Sequence, residues 1–239
     1  MKRREGSMAN WTAEQLAAAV VDVLCQRCVH KRGDWVTLMG HRRNYEEWWK
    51  AEFVSAVESW AWSSECNDQL WGALPEPMPK KAGYKIWSGD GKADILVAPW
   101  DDQTKTVAIK NAPRVWIELK HRNTEYGVSK TFYKGLESDI DKWSGAQWTT
   151  EDVVLACHLL VHDATDRESL PQIFRARLDE IGKKYPRFCS TFYVGYKLTD
   201  SVIRWLNVDF FRIYPLNPTS PRPYRLRRSR FTPTRIGDI

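Results

Sequence analysis

A change of hydrophobic period constrains the fold more than any other feature of this chain. Up to about Ser63 the apolar residues recur at helical spacing, and from Tyr84 onward they gather into short runs of strand length separated by single helical stretches. Leu16, Val20, Val21 and Leu24 mark an amphipathic helix over Trp11 to Val29, with Thr12 as N-cap and Gln15 three residues on, the pattern of a capping box. Trp48, Trp49, Phe53, Val57 and Trp60 make the core stripe of a second helix from about Asn44 to Ser63, with Glu46, Glu47, Glu52 and Glu58 on its flanks. Pro75, Pro77 and Pro79 then break the helical part.

Beyond the prolines, β-type runs occur at Tyr84 to Trp87, Ala93 to Ala98, Thr104 to Ile109 and Val115 to Leu119, with turns at Asp101-Asp102 and Asn111-Ala112-Pro113. Phe132, Leu136, Ile140 and Trp143 restore a helix. Val153 to Val161 is an apolar run of strand length, Leu170 to Ile181 reads as a helix, and Thr191 to Leu198 alternates as a strand does. The order α-α-β-β-β-α-β-α-β predicts an α/β fold in which a central mixed sheet is flanked by helices in three layers. A chain of 239 residues with 43% hydrophobic content is long enough to bury one such core.

Charge is informative once it is located. Seven arginines lie between Arg212 and Ile239 against one acid, Asp238, so the whole formal excess of +6 sits in that segment. Its prolines bar a regular helix or a central strand, and it reads as an extended basic arm over residues 212–239. Arg222, Arg225, Arg227, Arg228 and Arg230 supply bidentate donors suited to phosphates, which points to a nucleic acid partner. Residues 1–10 read as a flexible N-terminus, leaving 11–211 as the folded domain. The short, polar-interrupted run Leu16 to Leu24 excludes a signal peptide or a membrane span there, and a cytoplasmic protein is expected. Five scattered cysteines fit reduced thiols, with the Cys25-x-x-Cys28 pair buried in its helix rather than binding metal. A Gly-rich phosphate loop, a GxSxG elbow and an HExxH motif are all lacking, which disfavours the enzyme classes they mark.

The chemistry concentrates in Val115-Trp116-Ile117-Glu118-Leu119-Lys120. On a strand, Ile117 and Leu119 face one side while Trp116, Glu118 and Lys120 face the other. A neighbouring run, Ala93-Asp94-Ile95-Leu96-Val97, carries an Asp at its entrance, so two carboxylates and an amine can converge at one sheet edge. Asp94 and Glu118 are hard oxygen ligands of the kind Mg²⁺ takes. Lys120 can act on the attacking water or hold a phosphate electrostatically.

These residues resemble the PD-(D/E)xK superfamily of restriction-endonuclease-like nucleases, with Ala93-Asp94 in the PD place and Glu118-Leu119-Lys120 in the ExK place. The likeness spans the second helix to about Val161, and the order of elements agrees with that family's αβββαβ core. Two departures are Ala93 in place of Pro and the 23 residues between Asp94 and Glu118, which suggest an insertion around Asp101 to Asn111. The resemblance implies a DNA endonuclease using Mg²⁺, with Mn²⁺ as substitute, in restriction, phage defence or mobile-element biology. It also implies a homodimer or a larger defence complex, a metal contact from the Leu119 carbonyl, and a further carboxylate from the second helix. Glu52 is expected in that last role, with Glu47 second. The stretch Gly135 to Trp143, with Asp139 and Lys142, resembles the helix that follows the ExK strand in such proteins. Two other readings compete: a nuclease-like nucleic-acid-binding or assembly module without catalysis, and a structure-specific repair or recombination nuclease. His121 could touch substrate but reads as a solvated strand-end residue, and His158 and His162 read as packing residues on one face of a strand.

Overall fold

The computed structural model describes residues 11–31, 34, 45–61, 71–75, 93–101, 106–107, 111–123, 130–164, 172–199 and 202–216. Two helices come first, α1 (Ala13–His30) and α2 (Glu46–Ala61). The capping box forms as the sequence predicts, Gln15 N donating to Thr12 Oγ1 at 3.2 Å and Thr12 N to Gln15 Oε1 at 2.9 Å. The strands β1 (Trp71–Pro75), β2 (Ile95–Asp101), β3 (Thr106–Val107) and β4 (Arg114–Asn123) follow. Helix α3 (Lys130–Ser144), strand β5 (Asp152–Ala164), helix α4 (Gln172–Lys184) and strands β6 (Phe192–Lys197) and β7 (Ile203–Tyr214) complete the described chain.

The seven strands form one sheet in the order β1-β2-β4-β5-β7-β6, with β3 paired to β2. Among the described strands only β4 and β5 run parallel, and their connection carries α3, the crossover that a parallel pair requires. The alternation read in β4 sorts two cores. Val115, Ile117 and Leu119 pack with α1 and α2 on one face, while Trp116 packs with Leu136, Ile140 and Trp143 of α3 and with α4 on the other. A mixed α/β sheet with helices on both faces is thus the architecture.

A buried polar knot fixes the start of the parallel pair. Asp152 accepts from Arg114 Nε at 2.7 Å, Trp116 Nε1 at 2.9 Å, Thr149 N at 2.8 Å and Thr149 Oγ1 at 2.7 Å. Arg114 and Asp152 face each other in the strand register, so the knot pins that register where the two strands begin. Just before β4, Asn111 takes φ 54°, a left-handed turn position that asparagine tolerates, at the turn the sequence marks.

Three sequence expectations change. Strand β1 ends on Pro75, the first proline of the predicted break, which pairs with Ile95 on an edge strand, the place in a sheet where proline is tolerated. The domain does not end at residue 211: Arg212 to Tyr214 belong to β7, and Arg212 is buried, paired with Glu14 of α1 at 2.9 Å and lying over the Phe188 ring. Strand β7 itself is additional to the predicted order. The expected strand Tyr84 to Trp87 and the N-terminal ten residues lie outside the described residues. No helix among the described residues is long and apolar enough to cross a membrane.

Candidate active site

The antiparallel register of β2 and β4 brings Asp94 to the ExK segment. Ile95 pairs with Ile117, and one residue earlier Asp94 N donates to Ile117 O at 3.1 Å. The Asp94 side chain then reaches past Glu118, and its Oδ2 accepts from the backbone N–H of Leu119 at 2.6 Å. The aspartate is therefore tied to the residue that separates Glu118 from Lys120.

Both members of that pair are held by α3. Glu118 Oε2 accepts from Trp143 Nε1 at 3.0 Å, and Lys120 Nζ sits 2.7 Å from Asp139 Oδ2. Trp143 is fixed in turn by Trp148, whose Nε1 donates to the Trp143 carbonyl at 2.8 Å, and by the apolar layer under α3. Asp139 and Trp143 are four apart on the helix and so share a face, as i and i+4 positions do.

Helix α2 covers the other side. Lys50 is buried, with Nζ 3.1 Å from Asp94 Oδ1 and 2.9 Å from Glu47 Oε1. Glu46, half-buried one turn earlier, accepts a long bond of 3.4 Å from His121 N and lies in the fields of Lys120, Asp94 and Asp139. Glu52, expected here from sequence, does not join the cluster. It faces α1, where it accepts from Arg27 Nε at 2.8 Å and lies 3.5 Å from Lys31 Nζ. The helix carboxylate turned toward the site is Glu46. Its signal was in the pattern: Glu46, Trp49, Phe53 and Val57 read i, i+3, i+7, i+11, in line with the buried stripe, while Glu52 lies off it. The expected nucleic-acid contacts Arg222, Arg225, Arg227, Arg228 and Arg230 lie outside the described residues.

Electrostatics follow from this crowding. Burial first, and then the Asp94 charge, push the Glu118 carboxyl from 4.5 up to about 8. Burial alone would lower Lys120, yet Asp139, Glu46 and Glu118 hold it above its ordinary value, so it stays an ammonium. The Glu46 carboxyl is raised, by burial before all else. His121 is not solvated but buried, and burial followed by the Arg122 charge brings it down to about 3. His158 and His162 are buried core residues, neutral for the same reason, with His162 Nδ1 2.9 Å from Asn207 Nδ2. Cys25, Cys28, Cys157 and Cys189 are buried as thiols, outside any disulfide, and burial raises all four.

The donor set suits a hard divalent cation. Asp94, just before β2, and Glu118 on the neighbouring β4 are oxygen donors, and Mg²⁺ is commonly held by one or two carboxylates, the rest of its shell being water and substrate. Among the described residues no three His, Cys, Asp or Glu side chains gather as a ready-made site, so such an ion would rest on this pair.

The raised carboxyl has a measurable consequence. A Glu whose folded value lies above its unfolded one contributes stability that is full below about pH 4.5 and lost as pH rises through about 8. Glu118→Gln removes this loss, so the metal-free variant is expected to outlast wild type by on the order of 3 kcal/mol at pH 9 and by little at pH 5. Urea unfolding at the two pH values in chelator checks this; equal stability at pH 9 would contradict it.

Comparison with protein-family models, curated proteins and solved structures found no match.

Proposed function

We propose that this chain is a Mg²⁺-dependent nuclease that hydrolyses phosphodiester bonds in DNA, built on a restriction-endonuclease-like core. The observation that carries the reading is the bond from Leu119 N to Asp94 at 2.6 Å, which joins the Asp of one strand to the Glu-x-Lys of the next. The order helix, antiparallel strands, ExK strand, crossover helix and parallel strand supports the same core.

Each residue has work in such a reaction. A Mg²⁺ ion held by Asp94 and Glu118 would acidify a bound water and offset charge on the phosphate. Asp94 is pinned by the Leu119 N–H and Glu118 by Trp143, so both present their oxygens in fixed directions. As the water oxygen bonds to phosphorus and one ester P–O bond breaks, negative charge builds on the phosphate oxygens. Lys120, kept charged beside Asp139, counters it in a half-buried setting where such an interaction is stronger than in water. Arg222, Arg225, Arg227, Arg228 and Arg230, which follow β7 in the chain, add the sequence-independent grip on the duplex backbone.

The buried Lys50 on Asp94 favours a second reading, a nuclease-like nucleic-acid-binding or assembly module whose carboxylates are neutralised by lysine. One experiment separates the two: single- and double-stranded DNA and RNA are incubated with the protein in Mg²⁺, Mn²⁺ or chelator. Metal-dependent cleavage of DNA supports the nuclease. Salt-sensitive binding without cleavage of any substrate in either metal supports the module.

A further inference from the structure

Lys50 is an unusual neighbour for a metal ligand. Its side chain is 7% exposed, and its ammonium lies 3.1 Å from Asp94 Oδ1, while the other Asp94 oxygen is taken by the Leu119 N–H. A divalent ion bound to Asp94 would sit about 2.1 Å from an oxygen. If that oxygen is Oδ1, the one not held by the Leu119 N–H, the ammonium and the ion would be at most about 5 Å apart, in a half-buried place where like charges repel strongly. The lysine also has somewhere to go. Glu47, on the same helix and 77% exposed, already holds the same ammonium at 2.9 Å, and a lysine stem is flexible enough to pivot on that contact.

Resting on the nuclease reading, we propose that Lys50 is the resident counter-cation of Asp94 and is displaced onto Glu47 when a divalent ion binds, so that this lysine sets the metal affinity of the site. In the metal-free protein the pair keeps a half-buried aspartate neutralised. On loading, the ion takes over that task and the ammonium turns toward solvent beside Glu47. The chain thereby trades metal affinity for a stable empty site.

The test is Mn²⁺ binding by the full chain without DNA, with free Mn²⁺ read by electron paramagnetic resonance and folding followed by circular dichroism. Lys50→Gln is expected to bind Mn²⁺ on the order of tenfold more tightly than wild type. Glu47→Gln, a change at an exposed position that leaves the fold intact, is expected to weaken Mn²⁺ binding a few-fold in the wild-type background and not in the Lys50→Gln background. Asp94→Asn is expected to abolish binding in either. If Mn²⁺ binds in an Asp94-dependent way and Lys50→Gln binds no more tightly, the displacement is wrong while the metal site stands. An equal effect of Glu47→Gln in both backgrounds also overturns it, since only general charge would then be at work. Should none of these proteins bind Mn²⁺, the metal-site reading falls together with the proposal.

Discussion

Asp152→Ala is expected to cost about 3–5 kcal/mol of folding stability, the scale of removing one partner of a buried ion pair. Asp152 takes four hydrogen bonds from Arg114, Trp116 and Thr149, and its removal leaves a guanidinium that is 4% exposed without its carboxylate. Burial pushes the Asp152 carboxyl up, but Arg114, Trp116 and Thr149 outweigh it and hold it below its ordinary value. Its contribution is therefore present at neutral pH and lost only as pH falls through that lowered value. The knot closes the start of the β4/β5 pair, so its loss should loosen the strand that carries Glu118 and Lys120. An exposed pair such as Arg177–Glu180 serves as the contrast, with an expected cost of under about 1 kcal/mol. Urea midpoints with an unchanged slope give both numbers, and a loss below about 1 kcal/mol for Asp152→Ala would contradict the role assigned to the knot.

Lys120→Met is expected to lower DNA cleavage by about 10²–10³-fold, the scale of removing one group that stabilises transition-state charge. Because Asp139 keeps Lys120 protonated, charge and position are what it offers, and Lys120→Arg should keep part of the activity. Asp139→Asn leaves the lysine in place but slackens its anchor, with about a tenfold loss expected. The alternative, Lys120 as the base that deprotonates water, makes a different demand: arginine cannot serve, so Lys120→Arg would be as inactive as Lys120→Met. Rates of the four proteins at pH 6 and 8 distinguish these roles.

What the sequence made legible was local. Period-two alternation in β4 placed Glu118 and Lys120 on one face, and that face is the one covered by α3. The position of Asp94 at the mouth of its strand was enough to bring it alongside, because antiparallel pairing fixes its neighbour. What depends on how elements pack was harder to read. The buried stripe of α2 turns Glu46 and Lys50 toward the sheet, while the pairing of Glu52 with Arg27 of α1 shows only once the two helices lie side by side. Strand β7 was obscured because Arg204, Asn207, Asp209 and Arg212 break its apolar run. Their partners, Asp163, His162, Arg187 with Thr191, and Glu14, lie 18 to 198 residues away. Such pairs become visible only once the strands are side by side.

The most direct measurement is single-turnover cleavage of duplex DNA in Mg²⁺ by wild type, Asp94→Asn and Glu118→Gln, each shown to be folded by circular dichroism. The expected result is metal-dependent cleavage by wild type and a loss of at least about 10³-fold in each variant, since each removes one of the two carboxylates that would hold the proposed metal. Cleavage by both variants at the wild-type rate would contradict the assignment of this site.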